Sequence, residues 1–297
     1  ANQLSNGTPD GTVLGQSASD KIAFFGATTV VQQATAAAGT DAATTQTLAN
    51  QIRTNLRNLG FIAYLMTVLF SIPTYNGTLD TRCVMALVSG FHLLTKKNID
   101  YELLIISNCT YLPAARNTLV SMFMDIADAT DLFFIDADVG FDPVSVIKLL
   151  ERSEGIVAGV YPLKRDVLSF PVKIKTRNGI PIGKYSSRQD CLIEAELLPT
   201  GFMRIKRDVI VEMQKAYPEL KYKTSNVETD GVIKECWDLF NMGVVKPGAE
   251  RWTTEDYAFC DRWTSIGGQL WLYPDITFEH VGTKSFKGNY FDYLPKS

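Results

Sequence analysis

Leu132-Phe-Phe-Ile-Asp-Ala-Asp-Val-Gly-Phe141 decides how this chain is read. Its first half is an unbroken apolar run, the pattern of a strand buried on both faces of a sheet. Its second half puts Asp136 and Asp138 one residue apart, between the end of that strand and a glycine turn. Two carboxylates so placed can ligate one hard divalent cation, directly or through water. They can equally cap a turn, and the residues themselves leave both readings open.

Working outward, strand-like and helix-like segments alternate, the signature of an α/β sheet. Thr67–Ile72 reads as a strand and Pro73-Thr-Tyr-Asn-Gly77 as the loop at its carboxyl end. Asp80 is placed to cap a helix with apolar positions Val84, Leu87, Val88, Phe91 and Leu94. Glu102–Ser107 is a second strand, and Ala114 to Asp128 a second helix. Leu132–Asp136 is a third strand. Asp142-Pro143 opens another helix, as N-cap and N1, and Gly155–Val160 returns as a strand. Ligands of such sheets bind beyond the carboxyl ends of the strands, so the loops at 73–77, 107–116, 136–141 and 160–165 should converge.

Several chemistries lose their main support. No GxGxxG or GxxxxGK[ST] follows any of these strands, and HExxH and GxSxG are absent. Further along, Thr254-Glu-Asp-Tyr257 precedes a helical pattern over Tyr257–Trp263. Acidic residues there suit a helix dipole, and they are also placed to take a proton from a hydroxyl. His280 follows a strand-like Ile276–Phe278 and neighbours Gly282 and Lys284, which suits a ligand. The other histidine, His92, sits mid-helix and reads as packing or surface. Lys164-Arg165, after Tyr161-Pro162, could hold phosphate or an anionic acceptor, or be solvated loop charge.

Across residues 64–290 the chain resembles GT-A-type glycosyltransferases of phage and viral kind, related to family 2, with a fainter likeness to mannosyltransferases. The resemblance rests on Ser71-Ile-Pro-Thr-Tyr-Asn-Gly, Ala115-Arg-Asn, Asp136-Ala-Asp, Val157-Ala-Gly-Val-Tyr-Pro, Thr200-Gly-Phe-Met, Glu255-Asp256 and His280-Val-Gly-Thr-Lys, in that order. It implies a GT-A fold, Rossmann-like, with a mostly parallel sheet flanked by helices. Thr74, Tyr75 and Asn76 would line a nucleobase pocket, and Arg116 would reach the nucleotide. Asp136 and Asp138 would hold Mn²⁺ or Mg²⁺ against the diphosphate of a nucleotide-sugar donor, with His280 completing the set. Lys284 would pair with a phosphate, and Gly201-Phe202 would face donor sugar and acceptor. Glu255 or Asp256 would be the base of an inverting enzyme acting on a glycan or protein acceptor. Ser107-Asn108 stands where such enzymes often carry an acid that grips the base or ribose, so the nucleotide stays open.

Composition breaks near Gly60. Every Cys, Trp and Tyr and both His lie after it, and the aromatics before it are Phe24 and Phe25. Residues 26–47 are almost wholly Ala, Thr, Gly, Val and Gln, too poor in large apolar side chains to offset their ordering entropy unaided. Leu48, Ile52, Leu56 and Leu59 then follow a helical period, with Gly60 at the C′ position. That amphipathic helix is expected to self-associate, as in a trimer, or to lie on the following domain. The stretch from Asp10 to Gln32 resembles a segment of bacteriophage virion proteins. It implies an extended arm over residues 1–60 that docks on other phage structural proteins, the alternative being a free leader.

Of 297 residues, 46% are hydrophobic and 21% charged, which excludes a wholly disordered or collagen-like chain. A net charge of −3 argues against a nucleic-acid-coating protein. The cysteines have no CxxC spacing and read as reduced thiols. Phe61–Ile72, the most apolar run, is about half the roughly 20 residues of a membrane span, and neither a membrane nor a nucleic-acid partner is expected. The sequence thus predicts a metal-dependent glycosyltransferase tethered to a phage particle, in the virion or in the host cytoplasm during infection. The alternative is a non-catalytic virion decoration or fibre protein that binds glycans through the same domain.

Overall fold

The structure is a computed structural model that describes residues 66–297 apart from 109, 186, 225–233, 246–247, 249 and 295–297, and before them Ile52 and Leu56, both helical. The remaining readings on residues 1–60, namely arm, self-association and particle docking, lie outside the described residues. Met66–Ser297 is a unit in its own right.

The first half alternates as its apolar runs require. Strand β1 (Thr67–Pro73) is followed by helix α1 (Thr81–Lys96), β2 (Asp100–Ile106), α2 (Leu112–Asp125), β3 (Asp131–Ile135), β4 (Val139–Phe141), α3 (Val144–Leu150) and β5 (Ile156–Ala158). Four short strands come next: β6 (Lys173–Ile174), β7 (Thr176–Arg177), β8 (Ile180–Pro181) and β9 (Gly183–Tyr185). Then follow β10 (Cys191–Leu197), β11 (Phe202–Lys206), α4 (Arg207–Ala216), β12 (Lys221–Thr224), β13 (Lys234–Trp237), α5 (Glu255–Ser265), β14 (Leu270–Leu272), β15 (Thr277–Val281), β16 (Ser285–Asn289) and α6 (Tyr290–Tyr293).

The central sheet has the order β2-β1-β3-β11-β5-β14-β10-β6, with β9 also on β10. Strands β2, β1, β3, β5 and β14 share one direction, and β11 and β10 run against it. The result is a mixed α/β fold with a largely parallel central sheet and six helices among the described residues of this unit. Because β2 and β3 flank β1 on opposite sides, the strand order reverses there. The carboxyl ends of β1 and β3 therefore border a topological switch point, where open α/β sheets leave a crevice.

Alternation along the strands splits the core in two. Leu69, Leu132, Phe134, Met203 and Ile205 face one apolar cluster, together with Leu119, Phe123, Phe259 and Trp263 from α2 and α5. Val68, Phe70, Ile72, Phe133, Ile135 and Phe202 face the other, with Leu87 and Leu94 of α1 and Val146 and Leu149 of α3. One face of α1 differs from its predicted stripe. Cys83, Ala86, Leu87, Gly90 and Leu94 are buried, whereas Val84 and Val88 are exposed. Small residues let α1 lie close: a Cβ on Gly90 would touch Val146 of α3. Asp80 caps α1 as expected, accepting from Arg82 N–H at 2.8 Å. Pro143 rather than Asp142 takes the N-cap of α3, while Asp142 Oδ1 still accepts from Val144 N–H at 3.0 Å. Cys83, Cys191, Cys236 and Cys260 are free and buried. Among the described residues no helix is long and apolar enough to cross a membrane.

Candidate functional site

Strand β1 delivers its loop to the switch point by a tight turn. Thr74 N–H donates to Ile106 O at 2.8 Å, and its hydroxyl accepts from Gly77 N–H at 3.1 Å. Gly77 has φ +74°, a left-handed conformation that glycine adopts without strain. Thr74 is thereby committed to shaping the loop, and Asn76 Oδ1 to Thr78. Tyr75 stays 75% exposed and offers its ring to the crevice.

Strand β3 delivers the two aspartates. Asp136 N–H donates to Gly201 O at 2.9 Å, and Val281 N–H donates to Asp138 O at 2.8 Å. The turn is thus pinned between β11 and β15. Loops after β1, β2 and β3 and the end of β15 then enclose a cleft of about 790 Å³, lined by residues 73–76 and 136–138, Thr110, Leu112 and residues 280–282 among others. That volume lies within the usual range for small-molecule sites.

The two aspartates face different partners. Asp136 accepts from Arg116 Nη2 at 3.0 Å and from the Tyr161 hydroxyl at 2.9 Å. A Cβ at position 201 would come within 2.1 Å of Asp136 Oδ2 and 2.4 Å of the Tyr161 oxygen, so only glycine leaves room for this pair. Asp138 instead pairs with Lys164 Nζ through Oδ2, and its Oδ1 lies 3.5 Å from His280 Nε2. Burial opposes ionisation of Asp138, but the hydrogen bonds from His280 and Lys164 outweigh it and hold the carboxyl below its ordinary range. His280 Nδ1 is 2.8 Å from Pro162 O. A carbonyl can only accept, so Nδ1 donates to Pro162 O, and the ring so fixed directs Nε2 at Asp138.

Beneath the cleft lies a second carboxylate. Asp256, in the first turn of α5, accepts from the Thr200 hydroxyl and stands 3.8 Å from Arg116 Nη2. Burial pushes its carboxyl up to about 7, Arg116 acts against the shift, and Glu255 and Asp136 add to it. Its side chain is 18% exposed. Arg116, 1% exposed, joins the two centres. Burial alone would weaken its hold on the proton, but Asp136 and Asp256 reverse that and keep it a cation. Burial and then Asp136 push the Tyr161 hydroxyl well above its ordinary value, so it donates to Asp136 as a neutral phenol.

Three expectations change. Arg116 does not line the crevice; α2 buries it behind Asp136, with its guanidinium 5.3 Å from the centre of the Phe134 ring. Lys284 is turned to Asp166 at the surface. Asp136, Asp138 and His280 do not form one ready-made set, and among the described residues no three His, Cys, Asp or Glu side chains do. Asp138 and His280 present two donors, with Asp136 lining the same cleft. A carboxylate, and an imidazole whose other nitrogen is bonded to a carbonyl, fit a divalent ion whose remaining positions come from phosphate and water. The sequence reading missed Thr200 and Tyr161 as partners of the acids; Tyr161 was signalled by its place just after β5, in a loop expected at the crevice.

No family model and no curated protein matches the chain. Solved structures similar to it include the following two. A197 from STIV is 18% identical with a TM-score of 0.41, over 73% of this chain and 86% of that one. A glycosyltransferase involved in glycosylation of the major capsid of PBCV-1 is 13% identical with a TM-score of 0.27, over 52% of this chain and 66% of that one.

Proposed function

We propose that the chain is a metal-dependent glycosyltransferase that moves a sugar from a nucleotide-diphosphate donor to a hydroxyl of a glycan or protein acceptor. One observation carries this reading. Asp136, Asp138 and His280 border a single cleft with the Tyr75 loop, and Asp256 shares the Nη2 of Arg116 with Asp136.

Asp138 and His280 would hold Mn²⁺ or Mg²⁺, with Asp136 beside them. A bound ion there supplies positive charge to the departing diphosphate without proton transfer. Every other element of the proposal belongs to the chain. Tyr75 offers a flat face to a nucleobase, and Lys164, paired with Asp138, would turn toward phosphate. Asp256 takes the proton of the acceptor hydroxyl, while that oxygen bonds to the anomeric carbon and the bond to diphosphate breaks. Of the two acids considered, Asp256 is the better base, because its proton affinity lies near neutrality and such a base contributes about 10²–10⁴-fold. Arg116 and Thr200 fix its position. The segment 1–60 is proposed to tether the enzyme to a phage particle, which detection of the polypeptide in purified particles would test.

The decisive experiment is a thermal-shift panel of UDP, GDP and CMP, each with and without Mn²⁺, on wild type and Asp138→Ala. A ligand at about 100 times its dissociation constant adds ~2.7 kcal/mol of stability, a visible rise in melting point. A manganese-dependent shift with one nucleotide, lost in Asp138→Ala, is expected. No shift across the panel would overturn the donor site and leave a glycan-binding virion protein without catalysis.

A further inference from the structure

Lys164 lies in the loop after β5, outside the roles assigned so far to the two aspartates. Backbone bonds shape the loop: Leu163 N–H donates to Ser169 O and Arg165 N–H to Leu163 O, both at 2.8 Å. The Lys164 stem crosses the backbone of β15's outgoing turn, where a Cβ on Gly282 would stand 3.1 Å from its Cδ. Its ammonium ends on Asp138 Oδ2, on the far side of that carboxylate from His280. Lysine 164 is 37% and Asp138 41% exposed. An ion pair this open to water is weak and exchanges readily.

Two facts conflict if the cleft takes a divalent cation. Asp138 and Nε2 of His280, 3.5 Å apart, offer a half-site, yet a monovalent cation of the chain already neutralises its carboxylate. An incoming ion must displace that ammonium or sit beside it, and two positive charges a few ångströms apart repel. A diphosphate removes the conflict, because it offers Lys164 another anion within reach of the same flexible stem.

We propose that Lys164 is the resident counter-ion of the half-site: it holds Asp138 until a divalent cation and a diphosphate arrive together, then passes from the carboxylate to the phosphate. This rests on the glycosyltransferase reading and goes beyond it by fixing an order of assembly. Cation alone binds poorly, and cation and nucleotide each raise the other's affinity by the same factor. Lys164 is the positioning group that makes them interdependent.

The test uses the full chain and Mn²⁺ alone, followed by the electron paramagnetic resonance of free Mn²⁺. Wild type should bind weakly. Lys164→Gln should bind about ten-fold more tightly, the scale of one unit charge removed from within several ångströms of a divalent ion. Lys164→Arg, which keeps the charge, should behave as wild type, and adding Asp138→Asn to Lys164→Gln should abolish the gain. Equal Mn²⁺ affinity of wild type and Lys164→Gln would overturn the proposal. If that equality came with an intact manganese-dependent nucleotide shift in both proteins, the counter-ion role alone would fall. If no nucleotide shifted either protein, the donor site itself would fall, and the proposal with it.

Discussion

Arg116 Nη2 lies 3.0 Å from Asp136 Oδ1, and the guanidinium that makes this contact is 1% exposed. Its Nε and Nη1 are buried without hydrogen-bond partners. Charge therefore holds it in place: Asp136 and, at 3.8 Å, Asp256 both face its Nη2. Removing one member of a buried ion group leaves the rest uncompensated, which costs about 3–5 kcal/mol. Arg116→Ala should lose stability on that scale in urea denaturation. Arg116→Lys should recover part of it, since the charge returns without the planar fork. A loss under ~1 kcal/mol for Arg116→Ala would mean that the acids are solvated rather than paired.

Asp256 gives a pH dependence whose sign is fixed. Burial raises its folded-state pKa from 3.8 to about 7, so between those values the folded chain binds more protons than the unfolded one. Its contribution is fully present below the unfolded pKa and is lost as pH rises through the folded one. Asp256→Asn, a mimic of the protonated acid, should therefore melt higher than wild type at about pH 8. The gap should close as pH falls toward about 5. Sugar transfer should show the opposite trend in wild type, rising with pH as the base ionises, and vanish in the variant. A variant that melts lower than wild type at the alkaline end would show that the ion pair with Arg116 outweighs burial.

How much of this was legible in the sequence depended on which interactions leave a periodic trace. Strand β3 was readable because burial on both faces writes an unbroken apolar run, and its end placed Asp136 and Asp138 at a loop. The loops expected to converge do so in the cleft and around Asp138. The polar interior of α2 left no such trace. Arg116, Asn117, Thr118 and Ser121 are all buried, yet in sequence they look like the wet side of an amphipathic helix. Three of them are instead placed by distant partners: Arg116 by Asp136, Asn117 by donating to Asp238 at 2.7 Å, and Ser121 by donating its hydroxyl to Glu235 O at 3.1 Å. Helix α1 erred the other way. Val84 and Val88 looked like core, but the buried face carries the smaller Cys83, Ala86 and Gly90, and at Gly90 the close neighbour is Val146 of α3.

The Tyr161–Asp136 hydrogen bond separates positioning from folding. Tyr161→Phe removes one buried donor and leaves the ring against His280, 4.8 Å between centroids. The expected loss is about 1 kcal/mol of stability. Because Asp136 is then held only by Arg116, the melting shift given by the nucleotide with Mn²⁺ should shrink more than the fold weakens. Gly201→Ala attacks the same bond sterically, since the new methyl would occupy the space of Asp136 Oδ2 and the Tyr161 oxygen. It should reduce the nucleotide shift further than Tyr161→Phe does. An unchanged shift in both variants would remove Asp136 from the donor site.

Arg204 tests the scaffold apart from the site. It is fully buried on β11, 3.7 Å from Asp131. Its guanidinium also donates to the carbonyls of Leu149, Arg152 and Glu154. Those carbonyls belong to the end of α3 and the turn into β5, where the helix's last C=O groups have no intrahelical partner. One side chain thus closes a helix end and fixes the start of a central strand. Arg204→Met fills the space but leaves Asp131 and several carbonyls unpaired, a cost of about 3–5 kcal/mol. Arg204 pairs with Phe133 in mid-strand, and its guanidinium reaches away from the cleft, toward Asp131 at the start of β3 and the α3–β5 turn. Arg204→Met should therefore melt markedly lower yet keep the full nucleotide-induced shift at temperatures where it is folded. A loss of that shift in parallel with stability would mean that the cleft depends on the α3–β5 turn, and that fold and site cannot be separated at this strand.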